Sequence, residues 1–103
     1  MKTDEIIKLY NEYVMPTYLK SPLVIARGKG ARVWDIEGKE YLDFFPGWAV
    51  SGLGHCHPFV VKALKRQLSK TLHVSNNFYN ELQGELARVI IKNSFDGKVF
   101  FAN

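Results

Sequence analysis

"GKVFFAN" (residues 97–103) decides the fold. Val99, Phe100, Phe101 and Ala102 are apolar without a break, where a strand with one wet face would alternate. A short run of this kind after helical sequence is the mark of a strand covered on both faces, as in a parallel sheet flanked by helices. Such a strand needs neighbours of its own character, and the rest of the chain supplies none. The sequence therefore predicts an α/β protein of which this chain is the front portion, truncated where a central sheet begins.

Working back from that run, two helices lead into it. Asn80 and Gln83 have the spacing of a capping box, and Leu82, Leu86, Val89 and Ile90 form an apolar stripe that Asn93 and Ser94 end. Before it, Pro58 opens a helix over residues 58–71 at the position where its missing N–H costs nothing. Val61, Leu64, Leu68 and Leu72 are its expected buried stripe. "LHVSNNFY" (72–79) breaks the pattern between the two.

Further upstream, "LVIAR" (23–27), "ARVWDI" (31–36) and "EYLDFF" (40–45) are β-prone runs separated by glycine turns. They read as a β-meander in which Gly28 or Gly30, and Gly38, supply positive φ. At the start, Thr3 is placed to cap a helix with the stripe Ile6, Tyr10, Tyr13 and Val14, which Pro16 ends. Three regions follow: an N-terminal helix and connector (1–20), a β-meander with its following loop (21–56), and two helices leading into the first strand of a larger domain (57–103).

Composition bounds the rest. Of the 103 residues 47% are hydrophobic and 14% aromatic, values of a folded chain. No apolar run approaches a membrane span, and the opening residues do not have the pattern of a secretory or transit signal. One cysteine, Cys56, can form no internal disulfide, which suits a reducing, cytoplasmic compartment. The net charge of +4 comes from Lys62, Lys65, Arg66 and Lys70. A stand-alone basic module binding nucleic acid or protein through helix 58–71 is the alternative function; a solvated helix face is the simpler account.

"PGWAVSGLG" (46–54) is a glycine-punctuated yet apolar loop, which fits an interior, an interface or a pocket wall better than open solvent. It runs into His55, Cys56 and His57. Zinc ligands are usually paired two to four residues apart, and consecutive residues do not converge on one ion, so no metal site is expected. Nor does a thiol beside its own neighbouring imidazole have the geometry of a nucleophile and base. A structural turn fits better: His57 caps the helix, and His55 bonds back onto the loop and holds its shape. The turn can also border a pocket.

Taken together, residues 26–64 and "SNNFYNELQGELA" (75–87) resemble the N-terminal region of class III pyridoxal-phosphate aminotransferases. The family run G-x-x-x-W/Y-D-x-x-G-x-x-Y-L-D-F is matched by Gly30, Trp34, Asp35, Gly38, Tyr41, Leu42, Asp43 and Phe44. The following G-H-x-H-P is matched by Gly54, His55, His57 and Pro58. "MPTY" (15–18) and "AVSGLGHCHP" (49–58) are most similar to the acetylornithine and ornithine branch.

The resemblance implies a fold type I, pyridoxal 5'-phosphate-dependent transaminase acting as a cytoplasmic homodimer in amino-acid (arginine) biosynthesis, with its active sites at the subunit interface. It implies transfer of an amino group from N-acetylornithine or a related omega-amine donor to 2-oxoglutarate. The family's phosphate-binding turn would begin directly after Asn103, and no lysine here matches the imine-forming one; Lys98 only flanks the last strand. The chain alone is thus expected to be inactive, with no catalytic, cofactor-binding or metal residue. Substrate-facing candidates are Trp48, Phe78 and Tyr79. For each the opposing account is packing: an aromatic plug at Trp48, contact with the helix from residue 80 at Phe78 and Tyr79. Pro46-Gly47-Trp48 departs from the small residues and isoleucine usual in acetylornithine enzymes, and a large indole would reshape the pocket.

Overall fold

The computed structural model describes residues 1–102, in two compact units, Met1–Arg66 and the segment from Gln67 on. Unit one begins with α1 (Thr3–Tyr13). Its N-cap is Lys2, one residue before the expected cap: Glu5 reaches back to accept the Lys2 N–H at 2.9 Å. That frees the Thr3 hydroxyl to donate to Glu37 at 2.8 Å. The helix closes when Val14 turns extended, its N–H still bonded to the Tyr10 carbonyl.

Strands β1 (Ile25–Lys29), β2 (Arg32–Asp35) and β3 (Glu40–Leu42) form the expected antiparallel meander, in the order β1-β2-β3. The first strand lies two residues later than the hydrophobicity indicated, because pairing is set by the Gly30-Ala31 turn, with Lys29 opposite Arg32. A two-residue loop favours positive φ, and Gly30 has φ 57°. Gly28 lies inside the strand and supplies no turn. β3 stops at Leu42, well short of Phe45, with the Asp43 N–H still bonded to the Ala31 carbonyl. Arg27 stacks 4.0 Å over the ring of its cross-strand partner Trp34, and Arg32 pairs with Glu40 diagonally across β2 and β3.

Pro58 is the first residue of α2 (Pro58–Leu68), as expected, and the His57 carbonyl takes the first helical bond from the Val61 N–H. The cap is thus main-chain, with no imidazole bond to the helix. The helix ends three residues earlier than expected. Lys70 and Thr71 N–H both turn back to the Gln67 carbonyl, so Lys70 leaves the helical row of cations.

The second unit is built on α3 (Glu81–Lys92). Asn80 caps it by accepting the Gln83 N–H at 3.1 Å, and Asn93 and Ser94 side chains donate to the Val89 and Ile90 carbonyls at 2.8 Å. Residues 98–102 form no ladder among the described residues, and Asn103 lies outside them. Val99 and Phe101 are half-buried while Phe100 and Ala102 are exposed, which keeps the two-residue period of a strand without its partners.

The burial expected of the stripe at Val61, Leu64, Leu68 and Leu72 is a correction. Only Val33 and Asp35 are buried among the described residues; Leu64, Leu68, Leu72, Leu82, Leu86, Val89 and Ile90 are all exposed. The physical reason is that these faces have no covering layer: within the first unit only neighbouring strands pack together, and the second unit holds a single helix. No helix among the described residues is long and apolar enough to cross a membrane.

Candidate functional site

Two carboxylates on the meander organise the region around the loop. Asp35 ends β2 with its side chain folded over the next turn. One oxygen accepts the Glu37 and Lys39 N–H at 3.0 and 2.9 Å, and the other accepts the Tyr41 hydroxyl at 2.8 Å. Gly38, at φ 89°, completes the turn. Asp-x-x-Gly-x-x-Tyr is therefore a side-chain-capped turn tied to the following strand.

Asp43 is the second. Its Oδ2 lies 2.5 Å from Nε2 of His55, and its Oδ1 accepts the Phe45 N–H at 3.0 Å. With the carboxylate ionised, the imidazole proton sits on Nε2. His55 is also paired through its backbone to Gly30, with N–H to carbonyl bonds of 2.9 Å in each direction. The expectation that His55 holds the loop in shape is met.

Both carboxyls are held below their ordinary value of 3.8: Asp35 by the Tyr41 hydroxyl first, then the N–H groups of Lys39, Glu37 and Gly38; Asp43 by His55 first, then the Phe45 N–H. A lowered carboxyl stabilises the fold fully above its unfolded value, and that contribution is lost as pH falls through the folded one. Tyr41 is shifted the other way, raised from 10.0 chiefly by Asp35, so its contribution is present below 10.0 and lost above. The meander is expected to keep its near-ultraviolet dichroism across the neutral range and to lose it below 3.8 and again above 10.0. Loss within the neutral range would contradict this pairing.

Between Asp43 and His55 the loop is a series of tight turns: Ser51 N–H to the Pro46 carbonyl at 3.0 Å, Gly54 N–H to that of Ser51 at 2.8 Å. Gly47, Trp48 and Ala49 have φ of 59°, 57° and 70°, left-handed backbone for two residues that are not glycine. Trp48 is 89% exposed, with Phe45 in edge contact at 6.0 Å between ring centres. Trp48 is therefore no core plug in this unit.

Phe78 and Tyr79 lie in the second unit. The Ser75 carbonyl accepts the Phe78 N–H at 3.0 Å, and both rings are exposed. Cys56, at φ 52°, is exposed, and no group of three or more metal-ligating side chains occurs among the described residues. The carboxylate pairings were missed in the sequence as site features, although Asp35 three residues before Gly38 is a turn signal in itself.

Known proteins similar to this chain fall in one family. A model described as aminotransferase class-III matches residues 13–103. The acetylornithine aminotransferase of Caldanaerobacter subterraneus subsp. tengcongensis is 53% identical over 98 residues, 95% of this chain and 25% of that protein. The crystal structure of acetylornithine aminotransferase from Elizabethkingia anophelis has TM-score 0.85 and 37% identity, covering 89% of this chain and 24% of that one. The taurine:2-oxoglutarate aminotransferase of Bifidobacterium kashiwanohense, in complex with PLP and glutamate, has TM-score 0.78 and 28% identity, covering 89% of this chain and 21% of that one.

The chain thus spans about a quarter of the length of the curated relatives it matches. Pyridoxal phosphate is the cofactor of this family. Among the described residues no buried side-chain nitrogen or oxygen lacks a partner, and every lysine is exposed. With a family match running from residue 13 to 103, the chain belongs to the class III aminotransferases.

Proposed function

We propose that this chain serves in an aminotransferase that moves an amino group from N-acetylornithine or a related omega-amine donor to 2-oxoglutarate. The observation that carries the reading is 53% identity, over nearly the whole chain, to an acetylornithine aminotransferase. In this reading pyridoxal phosphate supplies the electron sink. Trp48, Phe78 and Tyr79 contact substrate, and the groups that hold the coenzyme lie outside residues 1–103. The regions 1–20, 21–56 and 57–103 are its N-terminal helix and connector, its meander with pocket-facing loop, and its lead into the large domain. The assembly is a cytoplasmic homodimer whose partners are small amino donors and keto acids, with no nucleic acid and no membrane.

Two measurements test it. The full-length enzyme is expected to form glutamate from 2-oxoglutarate with N-acetylornithine or ornithine, and absence of turnover with every omega-amine donor would overturn the reading. Residues 1–103 mixed with pyridoxal phosphate are expected to give only the non-saturating absorbance of surface lysine adducts. A single saturable imine band would show that the coenzyme lysine is in this chain after all.

A further inference from the structure

We infer that Asp43 and His55 are positioning residues for Trp48: they form a clasp that closes the loop between them and thereby fixes where the indole stands. The inference rests on the proposed role of Trp48 in binding the amino donor.

The geometry is that of a compact loop tied at its neck. Residues 44–54 leave and return at one place. The Asp43 N–H bonds to the Ala31 carbonyl at 2.9 Å, and His55 exchanges two bonds with Gly30 at 2.9 Å. Gly30 and Ala31 are the two turn residues between β1 and β2, so both ends of the loop hang from a single hairpin turn. The side chains then close the neck directly, Asp43 Oδ2 to His55 Nε2 at 2.5 Å, with both side chains mostly buried at 20% and 30% exposure. Beneath the imidazole lies Gly28, whose missing Cβ makes the space: an atom built there would stand 2.6 Å from His55 Cγ.

The loop needs this closure. Trp48 and Ala49 sit in left-handed backbone, which costs an L-residue about 1–2 kcal/mol each. An untied loop relieves that strain by turning those residues back to negative φ, and the indole moves with them. The ring's own contacts are too few to hold it. The one ring-to-ring contact among the described residues is the Phe45 edge contact, and 89% of Trp48 is exposed. Its position is therefore set by the backbone, and the backbone by the neck.

The test uses the full-length enzyme labelled with 5-fluorotryptophan, the Trp48 resonance being identified by its loss in Trp48→Phe. Asp43→Ala and His55→Ala are expected to shift and broaden that resonance. Asp43→Asn, which keeps an oxygen toward Nε2, is expected to restore most of it and guards against a variant that fails to fold. In the same series KM for the amino donor is expected to rise about two- to tenfold with kcat little changed, the cost of re-ordering one freed side chain. An unmoved Trp48 resonance in both alanine variants overturns the inference, and so does equal damage from Asp43→Asn and Asp43→Ala. If the wild-type enzyme turns over no omega-amine donor, the functional reading fails, yet the resonance still reports whether the clasp exists.

Discussion

Gly28→Ala is expected to loosen the contact between the meander and His55, and to do so more than any change on the helices. The added methyl would lie 2.6 Å from His55 Cγ and 2.7 Å from His55 Cβ, both well inside contact distance. The flexible end of a long side chain could swing away from such an overlap. His55 cannot, because its ring is held by Asp43 and its backbone by Gly30. Either β1 bends away from β2, where Gly28 is paired with Val33, or His55 leaves its place. Overpacking of this kind costs about 1–3 kcal/mol. Hydrogen exchange reads it locally: the Gly30 and His55 amides are expected to lose roughly five- to hundredfold in protection. Gly84→Ala is the matching control, since its Cβ would meet nothing within 4 Å and α3 should gain about 0.5–1 kcal/mol. Unchanged protection at Gly30 and His55 in Gly28→Ala would mean that the imidazole is not held in place.

Elements with local signals were legible in the sequence. Pro58 marked the start of α2, Asn80 the cap of α3, Gly38 the second meander turn and Gly28 or Gly30 the first, which the structure places at Gly30, because each depends on a backbone constraint that one residue type satisfies. Boundaries set by pairing were not. β1 runs to Lys29 because its register is counted from the turn, which hydrophobicity does not reveal. β3 ends at Leu42, and the next residue, Asp43, pairs with a histidine twelve positions on, a long-range choice no local pattern carries. The stripes on α2 and α3 were read correctly as apolar, and the first of them wrongly as buried, since burial depends on what lies opposite. The loop reads from its glycines and apolar residues as a pocket or interface wall, yet within this unit Trp48, Val50 and Leu53 are exposed. Its left-handed turn at Trp48 was not legible, because tryptophan is the wrong residue for that backbone by every local rule.

Gly54→Ala is the second substitution expected to have a large effect, and its size relative to Gly30→Ala separates two costs. Both glycines have positive φ, 77° and 57°, so an alanine at either is strained by about 1–2 kcal/mol. At Gly30 that is the whole penalty, for its Cβ would find nothing within 4 Å. At Gly54 the Cβ would stand 3.0 Å from Gly30 Cα and 3.1 Å from its carbonyl carbon and oxygen. Those atoms are backbone, and they are bonded to His55 on both sides. They can yield only by lengthening the two 2.9 Å bonds that seat the loop on the hairpin. The two costs therefore add at Gly54, and the amides of Gly30 and His55 are expected to lose roughly ten times more protection than in Gly30→Ala, the equivalent of about one further kcal/mol or slightly more. Equal losses in the two variants would mean that the hairpin turn gives way freely. In that case the neck of the loop would be held by the Asp43–His55 side chains alone, and Asp43→Ala would release the loop completely.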